Sequence, residues 1–302
     1  MLTFVLYNLI DRRIMVNIKG TLIPIGGNED KGKKETTGLD FISEGILSEV
    51  VKMSGGPDAK IIVIPTASSI PQKVGKNYLD AFQELGCSNV TVLNIKDRAQ
   101  SDDPEMLKEL AESNCIMFSG GDQSKISTKI GGTKFHDLLI KKYQTEKFVI
   151  AGTSAGAMAM SHEMIAGGSS KEALLKGAVL MNKGLGLIPG MVIDTHFVRR
   201  GRFGRLAEAV ATYPNLIGVG LAEDTGLVIS HNDEFRIIGS GMVIVMDASQ
   251  LTHNAHEVLA RGTPMSMSNL ITHILAIGDK FTLNDRKITV LPITEALSQS
   301  YL

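Results

Sequence analysis

The chain has 302 residues, enough for one large domain or two small ones; 43% are hydrophobic and 21% charged, which excludes a disordered, collagen-like or coiled-coil protein. Lys and Arg number 31 against 32 Asp and Glu, a formal net charge of −1, so no global basic field exists to hold nucleic acid or acidic lipid. The absence of tryptophan and the 5% aromatic content argue against a sugar-binding cleft or a base-stacking platform.

MLTFVLYNLI at the N-terminus is an apolar run, about half of the roughly 20 residues a membrane-spanning helix needs. No basic segment precedes it, no A-x-A-like cleavage site ends it, and Asp11-Arg12-Arg13 follows directly, so it does not read as a secretory leader. Residues 1–14 are expected to be an extension and residues 15–302 a single α/β domain of a soluble, cytoplasmic protein that engages no membrane.

TLIPIGG predicts a strand, LDFISEGILSEVVKM a helix, IIVIPTA a strand, residues 77–85 a helix and NVTVLNI a strand. PEMLKELAES predicts a helix, CIMFSGG a strand, KFHDLLIKKY a helix, and KFVIAGTS a strand running into a helix at AGAMAMSHEMI. Apolar strands without polar alternation, separated by helices, predict a mostly parallel sheet covered by helices on both faces. The ligand-binding strand ends then lie along one edge. Beyond about residue 215 the chain is rich in β-branched residues and turn formers, which predicts a β-rich C-terminal extension of antiparallel strands. Cys87 and Cys115 lie in or beside apolar runs and are expected to be buried thiols in a reducing compartment.

The strongest chemical signal is Gly152-Thr153-Ser154-Ala155-Gly156, a G-x-S-x-G pattern between a strand and a helix. A serine on such a strained turn projects its hydroxyl outward, and the amide of the next residue, Ala155, is placed to donate to an oxyanion. The plainer reading is a tight turn with a helix-capping serine. A nucleophilic serine needs a base. His136 and His162 fall in predicted helices, His231 in a predicted hairpin turn, and His253, His256 and His273 in the β-rich tail. His196 stands instead at the end of strand MVID, on the edge where Ser154 must lie. Glu223, ending the strand LIGVGLA, is the best carboxylate to orient its ring. Asp224 adjoins Glu223, and Asp194 is too close in sequence to His196 for that task. The order Ser, His, Glu differs from the Ser, acid, His of an ordinary α/β-hydrolase.

Arg199, Arg200, Arg202 and Arg205 follow His196 and are expected to begin a helix, where the dipole disfavours cations; guanidinium groups there suit carboxylate-bearing substrates. Ser119-Gly120-Gly121-Asp122-Gln123 ends a strand, so Gly120 and Gly121 are candidate oxyanion donors and Gln123 a candidate substrate contact. The loop from Gly27 to Lys34 only approaches a phosphate-cradling loop: Lys34 occupies the hydroxyl position, and Glu29 and Asp30 would repel phosphate. Nucleotide binding is therefore not expected. Neither His162-Glu163 nor His256-Glu257 has a second histidine at metal-ligand spacing, and no cofactor or metal is implied.

FSGGDQ, AGTSAGAMAM, IDTHFVRRGRFGRL and GVGLAEDT together resemble the cyanophycinase family, serine peptidases related to peptidase E, over roughly residues 17–250. The resemblance implies a fold like that of class I glutamine amidotransferases, exopeptidase activity on cyanophycin with release of β-Asp-Arg dipeptides, and a possible homodimer. It implies Ser154 as nucleophile, His196 as base and Glu223 as its orienter. Gln123, Asp194, Arg200, Arg202 and Arg205 match the family's substrate-binding positions. Cyanophycinases resemble Asp-Gln-His where this chain has Asp194-Thr195-His196, so Thr195 replaces an amide in that group. The alternatives are a peptidase E-like aspartyl or isoaspartyl dipeptidase and a non-catalytic module that binds acidic peptides.

Overall fold

A computed structural model describes residues 18–29, 45–168, 174–230, 234–254, 256 and 258–291. The expected extension at residues 1–14, the part of the glycine loop from Asp30 to Lys34 and the turn at His231 lie outside the described residues.

The first half of the chain alternates as its apolar runs require. The order is β1 (Thr21–Ile25), α1 (Ile46–Met53), β2 (Ile61–Ile64), α2 (Pro71–Glu84), β3 (Val90–Val92), α3 (Pro104–Glu112) and β4 (Cys115–Phe118). Then come α4 (Gln123–Ile130), α5 (Lys134–Thr145), β5 (Val149–Thr153) and α6 (Ala155–Met158). Strands β6 (Glu163–Gly168), β7 (Val179–Lys183) and β8 (Met191–Asp194) follow, then α7 (Phe203–Thr212) and β9 (Ile217–Leu221). The tail holds β10 (Thr225–Ser230), β11 (Glu234–Gly239), β12 (Val243–Asp247), β13 (His253–Asn254), β14 (Met267–Ser268), β15 (Ile271–Leu275), β16 (Lys280–Thr282) and β17 (Lys287–Thr289).

Strands β1, β5, β4, β2 and β3 form the parallel half of a nine-stranded sheet, and β10, β11, β16 and β17 continue it antiparallel beyond β1. The parallel strands are apolar without alternation because both faces are covered. On β2, Ile61 and Val63 pack with Leu47, Val50 and Phe82 of α1 and α2, while Ile62 and Ile64 pack with Leu110, Ile126 and Leu139 of α3, α4 and α5. The helix caps match the sequence: Pro104 opens α3 behind Asp103, and Asp122 and Thr133 cap α4 and α5.

Two features differ from the sequence expectation. The helix after Ser154 lasts one turn, because the carbonyls of residues 159–162 are taken by the amides of Leu185, Ile188, Gly186 and Gly184. His162 consequently sits in the bend before β6, not in a helix. The tail does not simply extend one sheet either: β8 and β9 pair in parallel and, with β12 and β15, form a separate four-stranded sheet. One apolar cluster joins that sheet to the helices on one face of the large one. Cys87 and Cys115 are buried and free. Among the described residues no helix is long and apolar enough to cross a membrane.

Candidate active site

Three strand ends from two sheets meet at one point. Ser154 follows β5, His196 follows β8 and Glu223 follows β9. Each strand hands over to its turn through a residue with left-handed backbone: Ser154 with φ 51°, His196 with φ 47°, and Asp224, next to Glu223, with φ 47°. Three consecutive carbonyls at the end of β1 accept their amides: Ser154 donates to Ile25 at 2.8 Å, His196 to Gly26 at 2.8 Å and Asp224 to Gly27 at 2.9 Å. Non-glycine residues reach this backbone region only where the surroundings over-determine it, and these bonds do so.

The side chains then align. His196 Nε2 lies 3.1 Å from Ser154 Oγ, and His196 Nδ1 lies 2.7 Å from Glu223 Oε1. Ser154 makes no helix-capping bond with its hydroxyl, which removes the plainer reading of the G-x-S-x-G turn. The second oxygen of Glu223 accepts from Arg199 at 2.8 Å. Burial lowers the His196 pKa, aided by the charges of Arg200 and Arg202 and opposed by Glu223. The ring is therefore neutral, and able to take a proton, at neutral pH. Burial works against ionisation of Glu223, but its bonds to Arg199 and His196 outweigh it and hold its pKa below the ordinary carboxylate value.

Small residues keep the site open. Gly27 has φ 106°, and a Cβ there would come within 2.4 Å of His196 Cε1; at Gly156 a Cβ would lie 2.6 Å from the Phe118 carbonyl oxygen. Glycine is the residue that meets both demands. The amides of Gly120, Gly121 and Ala155 donate to no protein acceptor among the described residues.

A cleft of about 420 Å³ opens over Ser154, lined by Gly27, Asn28, Glu29, Val74, Asn77, Tyr78, Gly120, Gly121, Thr153, Ser154, His196 and Arg200. Of the residues expected at substrate, Arg200 is the exposed one on this lining. The others are engaged by the protein. Asp194 is fully buried and takes Arg205 through Nε at 2.7 Å and Nη2 at 2.5 Å, and Arg202 Nη1 at 3.1 Å. Arg202 Nη1 also donates to the Thr195 carbonyl. Thr195 is buried with its hydroxyl toward Met158 Sδ. Gln123 donates its amide to the carbonyls of Ile165 and Ala166 on β6. Arg202 occupies the N-cap position of α7 without a side-chain capping bond and Arg205 sits in its first turn, and the buried Asp194 carboxylate accepts from both.

Sequence reasoning passed over Asn28, Glu29, Asn77, Tyr78 and Thr153 as cleft residues. Glu29 bridges the Tyr78 and Thr153 hydroxyls. The available signal was position: TLIPIGG ends a parallel strand, and its end must lie beside the end of the strand that carries Ser154.

A serine–imidazole–carboxylate relay at the strand ends of an α/β sheet defines the chemistry of a serine-type hydrolase. The chain belongs to Peptidase family S51, whose family model matches residues 41–238. It is 35% identical to the cyanophycinase of Trichormus variabilis over 282 residues, 93% of this chain and 90% of that protein. It is 34% identical to the cyanophycinase of Geminocystis herdmanii over 266 residues, 87% of this chain and 94% of that one. The crystal structure of a peptidase from an acI-B1 Actinobacterium shares the fold, with a TM-score of 0.61 at 20% identity over 88% of this chain and 98% of that one. The chain is a cyanophycinase-like peptidase.

Proposed function

We propose that this peptidase hydrolyses the poly-aspartate backbone of a cyanophycin-type polymer and releases β-Asp-Arg dipeptides, with Ser154 as nucleophile, His196 as its base and Glu223 as the group that orients the ring. The names of its relatives support the substrate. The observation that carries the mechanism is the imidazole bridging Ser154 Oγ at 3.1 Å and Glu223 Oε1 at 2.7 Å.

Ser154 Oγ attacks the scissile carbonyl carbon as its proton passes to His196 Nε2. The oxyanion is held by the amide of Ala155 together with the amides of Gly120 and Gly121. Collapse breaks the C–N bond, and His196 returns the proton to the leaving amine. Water then attacks the acyl-enzyme with His196 again as base, which releases the acid and restores the serine. Glu223 stays ionised throughout and stabilises the imidazolium. Arg200 binds a substrate carboxylate, while Gln123, Asp194, Thr195, Arg202 and Arg205 brace the structure around the site.

The reading extends to a cytoplasmic enzyme, which two free buried thiols fit, and to a homodimer, checked by sedimentation. Ser154→Ala tests the core of it. Release of arginine-containing dipeptides from cyanophycin should fall by at least a thousandfold, on the order seen when a triad member is removed, while the melting curve is retained. Retention of a tenth of wild-type kcat would refute the assignment. Labelling of Ser154 by a serine-directed phosphonate separates this reading from a non-catalytic binding module.

A further inference from the structure

Arg199 stands off the cleft lining, yet it is bonded to the carboxylate of the relay. Its Nη1 donates to Glu223 Oε2 at 2.8 Å, while Glu223 Oε1 lies 2.7 Å from His196 Nδ1. The two oxygens of one carboxylate are thus divided between the imidazole and an arginine.

Backbone bonds put Arg199 there. The Phe197 amide donates to the Leu221 carbonyl at 3.0 Å, which ties the turn after His196 to the last residue of β9, two residues before Glu223. The turn is closed by the Arg200 amide on the His196 carbonyl at 3.0 Å and the Gly201 amide on the Val198 carbonyl at 3.1 Å. Successive side chains leave such a turn in different directions, so Arg200 lines the cleft and Arg199 meets Glu223.

The Arg199 side chain is 72% exposed and that of Glu223 21%. An ion pair this open to water adds little to the stability of a fold, so stability does not account for its place. What the bond changes is the relay: a carboxylate held through one oxygen can still rotate, and a donor on the second fixes its plane. Burial works against ionisation of Glu223, and the Arg199 bond is the foremost influence that offsets it. The other cations that act on the imidazole are Arg200 and Arg202, and Asp224, next to Glu223, accepts the Ser240 hydroxyl.

We infer that Arg199 is a positioning residue of the relay, holding Glu223 through the oxygen that His196 does not use and balancing its charge there. The inference rests on the peptidase reading above and adds to it a residue that touches no substrate.

The probe is a neutral fluorophosphonate: Ser154 Oγ bonds to phosphorus, fluoride leaves and His196 takes the serine proton, with no substrate carboxylate involved. In Arg199→Gln the labelling rate at neutral pH should fall about 5- to 10-fold, between the scales of an exposed ion pair and a charged hydrogen bond. The unbalanced carboxylate then acts on the imidazole in full and raises its pKa, so the acid limb of labelling should move upward by about half a pH unit. Arg199→Lys keeps the charge without the planar fork; its limb should return to the wild-type midpoint while its rate recovers only in part. KM for cyanophycin should stay within about twofold in both variants, as expected of a group that does not touch substrate. A wild-type rate and limb in Arg199→Gln overturn the inference, as does a slower rate with the limb unmoved. A KM raised about tenfold with labelling intact is the signature of a substrate contact and overturns it too. So does an Arg199→Lys limb that stays with that of Arg199→Gln, or a melting point lowered in both variants, which marks a structural role. Wild-type labelling and cyanophycin hydrolysis are scored separately: labelling without hydrolysis refutes the proposed substrate alone, whereas absence of labelling refutes the relay and this inference with it.

Discussion

Replacing Arg205 by alanine separates a buried structural ion pair from a substrate clamp. Arg205 is 4% exposed and Asp194 fully buried, and the two share a bidentate contact through Nε at 2.7 Å and Nη2 at 2.5 Å. Removing one partner of a buried pair costs about 3–5 kcal/mol, because the other charge remains in a low-dielectric interior. Arg202 still reaches Asp194 at 3.1 Å, which argues for the lower end of that range. Unfolding entropy of about 2.1 cal/mol/K per residue gives this chain about 0.6 kcal/mol/K, so the loss corresponds to a melting point lower by roughly 5–8 °C. Differential scanning calorimetry measures it directly. Asp194 stands two residues before His196, so loosening it should lower kcat and leave KM within about threefold, on the order expected for a group that does not touch substrate. Arg200→Ala should do the reverse, melting with wild type and raising KM. A variant at Arg205 that melts with wild type but shows a KM raised tenfold or more, with Ser154 still labelled normally, would refute the burial argument and restore the clamp.

Gly27→Ala adds a Cβ 2.4 Å from His196 Cε1 at a backbone φ of 106°, so the ring must shift; kcat should drop about 100-fold, the scale of an ångström of misplacement, with the circular dichroism spectrum preserved. The base must be neutral to act, and burial lowers the His196 pKa from 6.5. The midpoint of the acid limb of kcat/KM should therefore lie below pH 6.5, with activity rising as the pH increases through it; a midpoint above that value would contradict the effect of burial. Removing a cation that lowers the imidazole pKa, as in Arg200→Gln, should move the same limb upward.

The parallel half of the sheet is readable from the chain because runs such as IIVI and CIMF are covered on both faces, and unbroken apolarity is the signature of that environment. Ser154, His196 and Glu223 stand out for a related reason: each ends an apolar strand, and strand ends on one edge converge. What the sequence conceals is set by distant contacts. Nothing local stops a helix at Met158; the segment from Gly184 to Ile188, arriving later in the chain, takes the carbonyls that a longer helix would use. The basic run from Arg199 to Arg205 looks like a surface awaiting an anion, and only packing reveals that Asp194 has been buried with Arg202 and Arg205. Glu29 meets Thr153 across 124 residues of sequence, a separation at which no spacing rule operates.

The three carbonyls of Ile25, Gly26 and Gly27 have a consequence for how such a site can diverge. They fix Ser154, His196 and the turn after Glu223 through main-chain atoms alone, so the spacing of the relay is written in peptide units that side-chain substitution does not alter. The walls belong to other segments: Val74, Asn77 and Tyr78 come from α2, and Arg200 from the turn before α7. Substitutions there can reshape what the cleft accepts while the distance from serine to imidazole stays constant. Inserting or deleting a single residue between β1 and Asn28 has the opposite character. It would shift the acceptors for all three strand ends at once, so the length of this short stretch is far less free to vary than the identity of the residues around it.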